Sequence, residues 1–78
     1  MACLAAKPIV NGIERDLKGA ARVVRIDLLS ADGRKIARRY DVRAIPTLLV
    51  FNESGDVIYR RTGLPEREEV VALVRGLA

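Results

Sequence analysis

An apolar run that follows directly on a proline stands out in the pattern of hydrophobic and polar positions. Thr47–Phe51 is a short, mostly aliphatic stretch, which is typical of a strand covered on both faces. Pro46 has no amide N–H and disfavours a helical conformation at Ile45, so the strand is expected to begin only after it. We therefore predict a central, parallel strand with the proline at its entrance.

The first helix is predicted over residues 4–18. Apolar residues recur there at helical spacing, at Ile9, Val10, Ile13 and Leu17. Gly19 stands where such a helix would end. Pro8 lies inside this segment, and its ring is expected to kink the helix or to confine regular hydrogen bonding to the residues after it.

Between this helix and the proline, the pattern changes from strand to helix. Residues 23–28 carry apolar side chains at Val23, Val24, Ile26 and Leu28, which predicts a short strand buried mostly on one side. The run Ser-Ala-Asp-Gly at 30–33 supplies turn and N-cap chemistry for a short helix over residues 35–40. Because a strand–helix–strand crossover joins parallel strands, this strand is expected to lie parallel to Thr47–Phe51.

The remaining residues predict a hairpin and a last helix. Turn-forming residues at 52–56 lead to a strand over residues 57–62, whose Arg60 and Arg61 suit a sheet edge. Pro65 and the glutamates after it mark a helix start. The buried stripe of this helix is expected at Val70, Leu73, Val74 and Leu77. The predicted fold is α/β, in the order α-β-α-β-β-α, with a three-stranded mixed sheet flanked by helices.

Length and composition set the class of protein. With 78 residues, half of them hydrophobic, the chain has room for one domain over residues 1–78. No apolar segment approaches the ~20 residues that span a bilayer, and the N-terminus lacks the features of a secretory signal. These observations predict a cytoplasmic protein without membrane contact.

The charge and the reactive residues of the chain limit the functions that it could have. The net charge of +4 comes mainly from arginine, and the densest basic group falls on or beside the predicted second helix: Arg34, Lys35, Arg38, Arg39 and Arg43. We interpret this group as a solvated helix face. The alternative is a patch for nucleic acid or another acidic partner, which is disfavoured because no aromatic residues interleave with the charges. One cysteine and no histidine exclude an internal disulfide and a cysteine–histidine metal cluster, and no cofactor is predicted.

Residues 40–47, Tyr-Asp-Val-Arg-Ala-Ile-Pro-Thr, are followed by a buried strand, a glycine turn, a second strand and Gly63. This combination resembles the C-terminal half of the thioredoxins. The resemblance implies that Pro46 is cis and lies beside a redox disulfide. It also implies that the backbone at Ala44 and Ile45, next to Pro46, pairs with a substrate peptide.

The resemblance covers nearly the whole chain but only about the last two thirds of a thioredoxin. We therefore expect an N-terminally truncated relative that lacks the first strand, the first helix and the second strand. Without the missing middle strand, the first two strands either pair directly or leave exposed edges and apolar faces that associate with another chain. We predict a homodimer.

Cys3 has two possible places in the family's Cys-x-x-Cys motif. As the second cysteine, which we prefer, it brings Pro8 onto the family's kinking proline and Gly19 onto its helix-ending glycine. As the first, nucleophilic cysteine, it shifts Pro8 off that counterpart. Either way no resolving thiol is present, so dithiol exchange is expected to be impaired or lost. A helix N-terminus favours thiol reactivity, whereas the simpler interpretation is an incidental small residue.

Two hypotheses of function follow from this resemblance. The first is a truncated thioredoxin-like thiol-disulfide oxidoreductase domain whose residual catalytic thiol is Cys3. Its protein or peptide thiol/disulfide substrate would lie against Ala44, Ile45 and Pro46. The alternative is a non-catalytic protein-interaction or assembly module that uses the same scaffold.

Overall fold

The computed structural model describes residues 2–77, which contain three helices and two strands. The helices are α1 (Ala2–Asp16), α2 (Ala31–Arg39) and α3 (Arg67–Arg75), and the strands are β1 (Thr47–Phe51) and β2 (Val57–Thr62). The predicted α/β class is confirmed, as are the three helices and the hairpin. No helix within residues 2–77 has both the length and the apolar character needed to cross a membrane.

α1 follows the predicted helical spacing closely. It includes Pro8 and is followed by a turn at Gly19, whose φ of 87° lies in the left-handed region. Ile13 of α1 and Leu17, in the turn directly after it, are each only 2 % exposed, because both face the rest of the protein. Regular helix ends at Asp16, slightly before the predicted end.

No strand forms over residues 23–28, which corrects both the predicted order α-β-α-β-β-α and the predicted three-stranded mixed sheet. Within residues 2–77 the sheet has two strands, β1 and β2. A strand needs a neighbour for its backbone groups, and this segment is held against α1 instead. The Arg25 guanidinium reaches Asn11 Oδ1 (2.7 Å) and Glu14 Oε1 (3.2 Å). Val24 and Ile26 consequently stay 61 % and 44 % exposed.

β1 and β2 form the antiparallel hairpin that the sequence predicts. The register pairs Thr47 with Thr62. The turn is closed by Asn52, whose Oδ1 accepts hydrogen bonds from the amides of Ser54 (3.0 Å) and Asp56 (2.9 Å). The prediction of a central, parallel β1 is wrong, because β1 has one neighbour and that neighbour is antiparallel.

α2 begins at Ala31, earlier than predicted. Ser30 Oγ accepts a hydrogen bond from the Gly33 amide (2.9 Å) and caps the helix. Gly33 is buried, and a Cβ there would lie 1.9 Å from the carbonyl oxygen of Asp27. The capping chemistry was predicted, but Gly33 belongs to the first helical turn rather than to the preceding loop.

The core lies between α1, α3 and one face of the hairpin. Its buried members are Ile13 of α1, Leu17 directly after α1, and Val70, Val71 and Val74 of α3. Ile9, Leu48, Val50 and Tyr59 pack against them. The predicted stripe of α3 is confirmed at Val70 and Val74, whereas Leu73 is half-buried and Leu77 is exposed. Leu77 follows the last residue of the helix, where the stripe no longer faces the core.

Arg67, Asp16 and Gly12 form a second contact between α1 and α3. We call this contact the α1–α3 clamp. The Arg67 guanidinium donates two hydrogen bonds to the Asp16 carboxylate, from Nε (2.8 Å) and Nη2 (3.0 Å). This pairing lowers the pKa of Asp16 below its ordinary value. Gly12 is buried beneath the guanidinium, since a Cβ at Gly12 would lie 2.6 Å from Arg67 Nη1.

Candidate functional site

The loop before β1 starts where α2 ends. The amides of Asp41 and Val42 donate to the carbonyls of Arg38 (3.2 Å) and Ala37 (2.8 Å), which closes the last helical turn. Asp41 has a positive φ of 55°, a conformation that aspartate adopts more readily than most residues. The chain therefore turns away from the helix at this point and enters residues 40–46, which we call the Pro46 loop.

Two hydrogen bonds tie the end of the Pro46 loop to the mouth of the hairpin. Its Ile45–Pro46 peptide bond is cis. The Gly63 amide donates to the Pro46 carbonyl (2.9 Å), and the Thr47 hydroxyl donates to the Ala44 carbonyl (2.6 Å). Gly63 has a φ of 103°, which strongly favours glycine at this position. Residues on either side of the hairpin mouth therefore hold the loop in place.

Ile45 is among the exposed apolar residues. The relative exposure of the whole residue is 59 %. Within residues 2–77, neither the N–H nor the C=O of Ile45 takes part in a backbone hydrogen bond. Ala44 is also exposed, although Thr47 already occupies its carbonyl.

The charged residues inside the loop neutralise each other. Arg43 Nε lies 2.8 Å from Asp41 Oδ1, and both side chains are largely exposed. The hydrogen bond to Asp41 raises the pKa of Arg43 above its ordinary value. An exposed pair of this kind contributes little to stability, so its effect is local: it leaves no unpaired charge on either of these two side chains.

Cys3 lies in the first turn of α1, and its thiol is free and exposed. In the described part of the chain, no hydrogen bond joins Cys3 to the Pro46 loop. The structure thus brings Ala44, Ile45 and Pro46 together in one loop and places Cys3 on a separate element.

Two features around the loop were missed by sequence reasoning. The hydroxyl oxygens of Thr47 and Thr62 lie 3.2 Å apart across the hairpin mouth. The predicted hairpin register could have revealed this pair. The Arg60 guanidinium donates to the carbonyls of Tyr40 and Asp41 at the end of α2. No local pattern could have indicated that contact, because Arg60 and Tyr40 are 20 positions apart.

We compared the sequence of the chain with those of known proteins. No protein-family model matches the chain. The chain is 26 % identical over 72 residues to thioredoxin C-2 of Corynebacterium nephridii and 28 % identical over 72 residues to a thioredoxin of Bacillus subtilis. Each of these alignments covers 92 % of the chain. The chain is related to the thioredoxins.

The similarity to thioredoxins covers most of this chain but a smaller share of each thioredoxin. A thioredoxin of Porphyra purpurea is 35 % identical over 54 residues, which are 69 % of this chain and 48 % of that protein. The chain spans 64 % of the Corynebacterium thioredoxin and 66 % of the Bacillus one, just under two thirds of each.

Because the chain is related to the thioredoxins, thiol chemistry is relevant to it. Thiol-disulfide exchange proceeds through a mixed disulfide, which a second thiol must resolve. This sequence contains one cysteine. That cysteine is Cys3, whose thiol is exposed on α1.

Proposed function

We propose that the chain is a thioredoxin-like redox domain that forms a mixed disulfide through Cys3 and does not complete dithiol exchange alone. The Cys3 thiolate attacks one sulfur of a protein or peptide disulfide. A new S–S bond forms as the old one breaks, and the other sulfur leaves as a thiolate, so that no net oxidation occurs. Release of Cys3 then requires a thiol from a second molecule. The observation that carries this proposal is an exposed single thiol in a relative of the thioredoxins.

In this proposal the Pro46 loop holds the substrate peptide. Support comes from the exposure of Ile45 and from the Ile45 N–H and C=O, which make no backbone hydrogen bond within residues 2–77. The bonds from Gly63 and Thr47 keep the loop in one conformation, so little entropy is lost when a peptide binds. Ala44, Ile45 and Pro46 would then act as substrate-binding residues and Cys3 as the reacting group.

The thiol proposal is tested with a chromogenic aromatic disulfide and with insulin reduction by dithiothreitol. We expect each chain to release a single equivalent of coloured thiolate from the aromatic disulfide, because one mixed disulfide forms per Cys3. In the same preparation, the rate of insulin reduction should equal the rate with dithiothreitol alone. Cys3→Ser serves as the control and should release no thiolate.

Two results would overturn the proposal that Cys3 forms a mixed disulfide without completing dithiol exchange. Catalytic turnover of insulin above the dithiothreitol background would show that one thiol is enough. Absence of thiolate release from the unaltered chain would show that Cys3 is not reactive towards disulfides.

A non-catalytic assembly role is the second candidate, and the free edge of β1 favours it. Within residues 2–77, β1 pairs with β2 alone, so one row of its N–H and C=O groups has no strand beside it. β1 has no charged residue, whereas Arg60 and Arg61 on β2 discourage pairing at the other edge. A second copy of the chain, added antiparallel to β1, would form a homodimer through a continuous sheet.

A further inference from the structure

Within residues 2–77, four basic side chains of α2 take part in no ion pair. Within residues 2–77, four ion pairs join acidic to basic side chains: Arg25–Glu14, Arg43–Asp41, Arg61–Glu66 and Arg67–Asp16. None of these pairs includes a residue of α2. The helix carries one acidic residue, Asp32, and four exposed basic residues, which we call the basic face: Arg34, Lys35, Arg38 and Arg39.

Helical geometry places the basic face on one side of α2. At about 100° per residue, its four members occupy the arc opposite the buried Gly33 and the half-buried Ala37. Arg34 and Arg38 are four residues apart, as are Lys35 and Arg39, and like charges at that spacing oppose helix formation. The free chain therefore holds a repulsion that an anionic partner would relieve.

Two members of the basic face are already held in position. Arg34 Nη1 donates to the Leu29 carbonyl (2.9 Å), and the Arg39 guanidinium lies 5.7 Å from the centre of the Tyr40 ring. Each guanidinium carries five N–H donors, so most of them stay available for a ligand. Positioned donors lose less entropy on binding than free ones, which favours recognition over simple charge attraction.

We propose that the basic face binds a short acidic segment of a partner protein. Guanidinium groups match carboxylates through paired, parallel hydrogen bonds, and the four cations offer two such rows along the helix. Two observations disfavour nucleic acid. The nearby Tyr40 ring packs edge-on against Phe51 at 5.2 Å and is not free to stack on bases. The turn that follows Phe51 carries Glu53 and Asp56, which would repel a long phosphate backbone running beyond the helix.

The test is a binding titration with a labelled peptide of about five glutamates, which spans ~17 Å when extended. Its glutamine counterpart and a duplex DNA of equal total charge are measured under the same conditions. We expect the chain to bind the glutamate peptide and not the glutamine peptide. The double variant Lys35→Glu with Arg38→Glu should weaken binding about tenfold or more, because two cations become anions where the carboxylates sit.

The matched control is Lys18→Glu with Arg22→Glu, which changes the net charge equally but leaves α2 intact. This variant should weaken peptide binding less than about threefold. Circular dichroism checks that both double variants fold. If Lys35→Glu with Arg38→Glu does not fold, Lys35→Gln with Arg38→Gln replaces it. Equal weakening by the α2 variant and the control would overturn the proposal, as would no binding by the unaltered chain. Tighter binding of the duplex DNA would overturn it in favour of a nucleic-acid surface.

Discussion

At the scale of single residues, Gly12 has a clear physical role in the α1–α3 clamp. The Arg67 guanidinium lies over Gly12 and reaches the Asp16 carboxylate at 2.8 Å. The depressed pKa of Asp16 means that the folded state binds this proton more weakly than the unfolded chain. The clamp therefore stabilises the fold above the ordinary pKa of an aspartate, and this stabilisation is lost as the pH falls through the folded-state pKa.

We predict that Gly12→Ala removes the clamp without a large loss of stability. An added Cβ would displace the Arg67 side chain, whose end is flexible, and break its bonds to Asp16. Alanine improves a helix interior by up to ~1 kcal/mol over glycine. Solvent screens an exposed ion pair, so its loss should be largely offset by the better helix former and the unfolding free energy at neutral pH should change little.

The measurement is an NMR titration of the Asp16 carboxyl together with chemical denaturation. In Gly12→Ala the pKa of Asp16 should rise towards its ordinary value, and Arg67→Gln should give the same rise by a different route. The prediction fails if the pKa of Asp16 stays depressed in Gly12→Ala, or if that variant is destabilised by several kcal/mol.

At the scale of elements, the patterns that predicted correctly were the ones completed within a short stretch of chain. The helical spacing of α1, the proline before β1 and the turn at Asn52 all act over a few residues, so α1, α3 and the hairpin could be predicted. The segment 23–28 has strand-like composition, but a strand exists only with a neighbour, and composition does not supply one. The Pro46 loop was predictable in position, whereas the long reach of Arg60 to its end was not.

The helix cap at Ser30 gives a prediction at this scale. Ser30 Oγ accepts from the Gly33 amide at 2.9 Å and donates to the Asp27 carbonyl at 2.7 Å. Ser30→Ala removes both bonds and should lower the free energy of unfolding by about 1 kcal/mol, the usual cost of losing an N-cap. The free energy of unfolding is measured by urea denaturation, with circular dichroism as the signal.

Ser54→Ala is the matched control for the cap, since Ser54 lies in an exposed turn and uses only its backbone amide to bond Asn52. This variant should change the free energy of unfolding by less than about 0.5 kcal/mol. Equal effects of the two substitutions would contradict the capping role of Ser30.

At the scale of the whole molecule, the two faces of the hairpin are covered unequally. Leu48 and Val50 pack on the core formed by α1 and α3. Tyr40, the residue after α2, contacts the hairpin at Phe51. Phe51 and Ile36 nevertheless stay substantially exposed, at 42 % and 38 %. A chain of this size hides a limited share of its surface, so exposed apolar groups and an unpaired strand edge together favour association.

Leu49→Lys tests the proposed homodimer. A lysine on β1 should disfavour addition of a second β1 and weaken self-association about tenfold or more, because charge on an edge strand opposes pairing. Ile58→Lys places the same charge on β2 and should leave self-association nearly unchanged. Analytical ultracentrifugation over a range of concentrations gives the mass. A monomer throughout in the unaltered chain, or equal effects of both lysines, would contradict association through β1.

The contact of Arg60 with the carbonyls of Tyr40 and Asp41 is a further link between β2 and the end of α2. A single guanidinium from β2 neutralises the negative end of α2 and also steadies the residue from which the Pro46 loop departs. Any anion that attracted this guanidinium would remove both supports together. The end of α2 and the start of the Pro46 loop thus depend on one side chain.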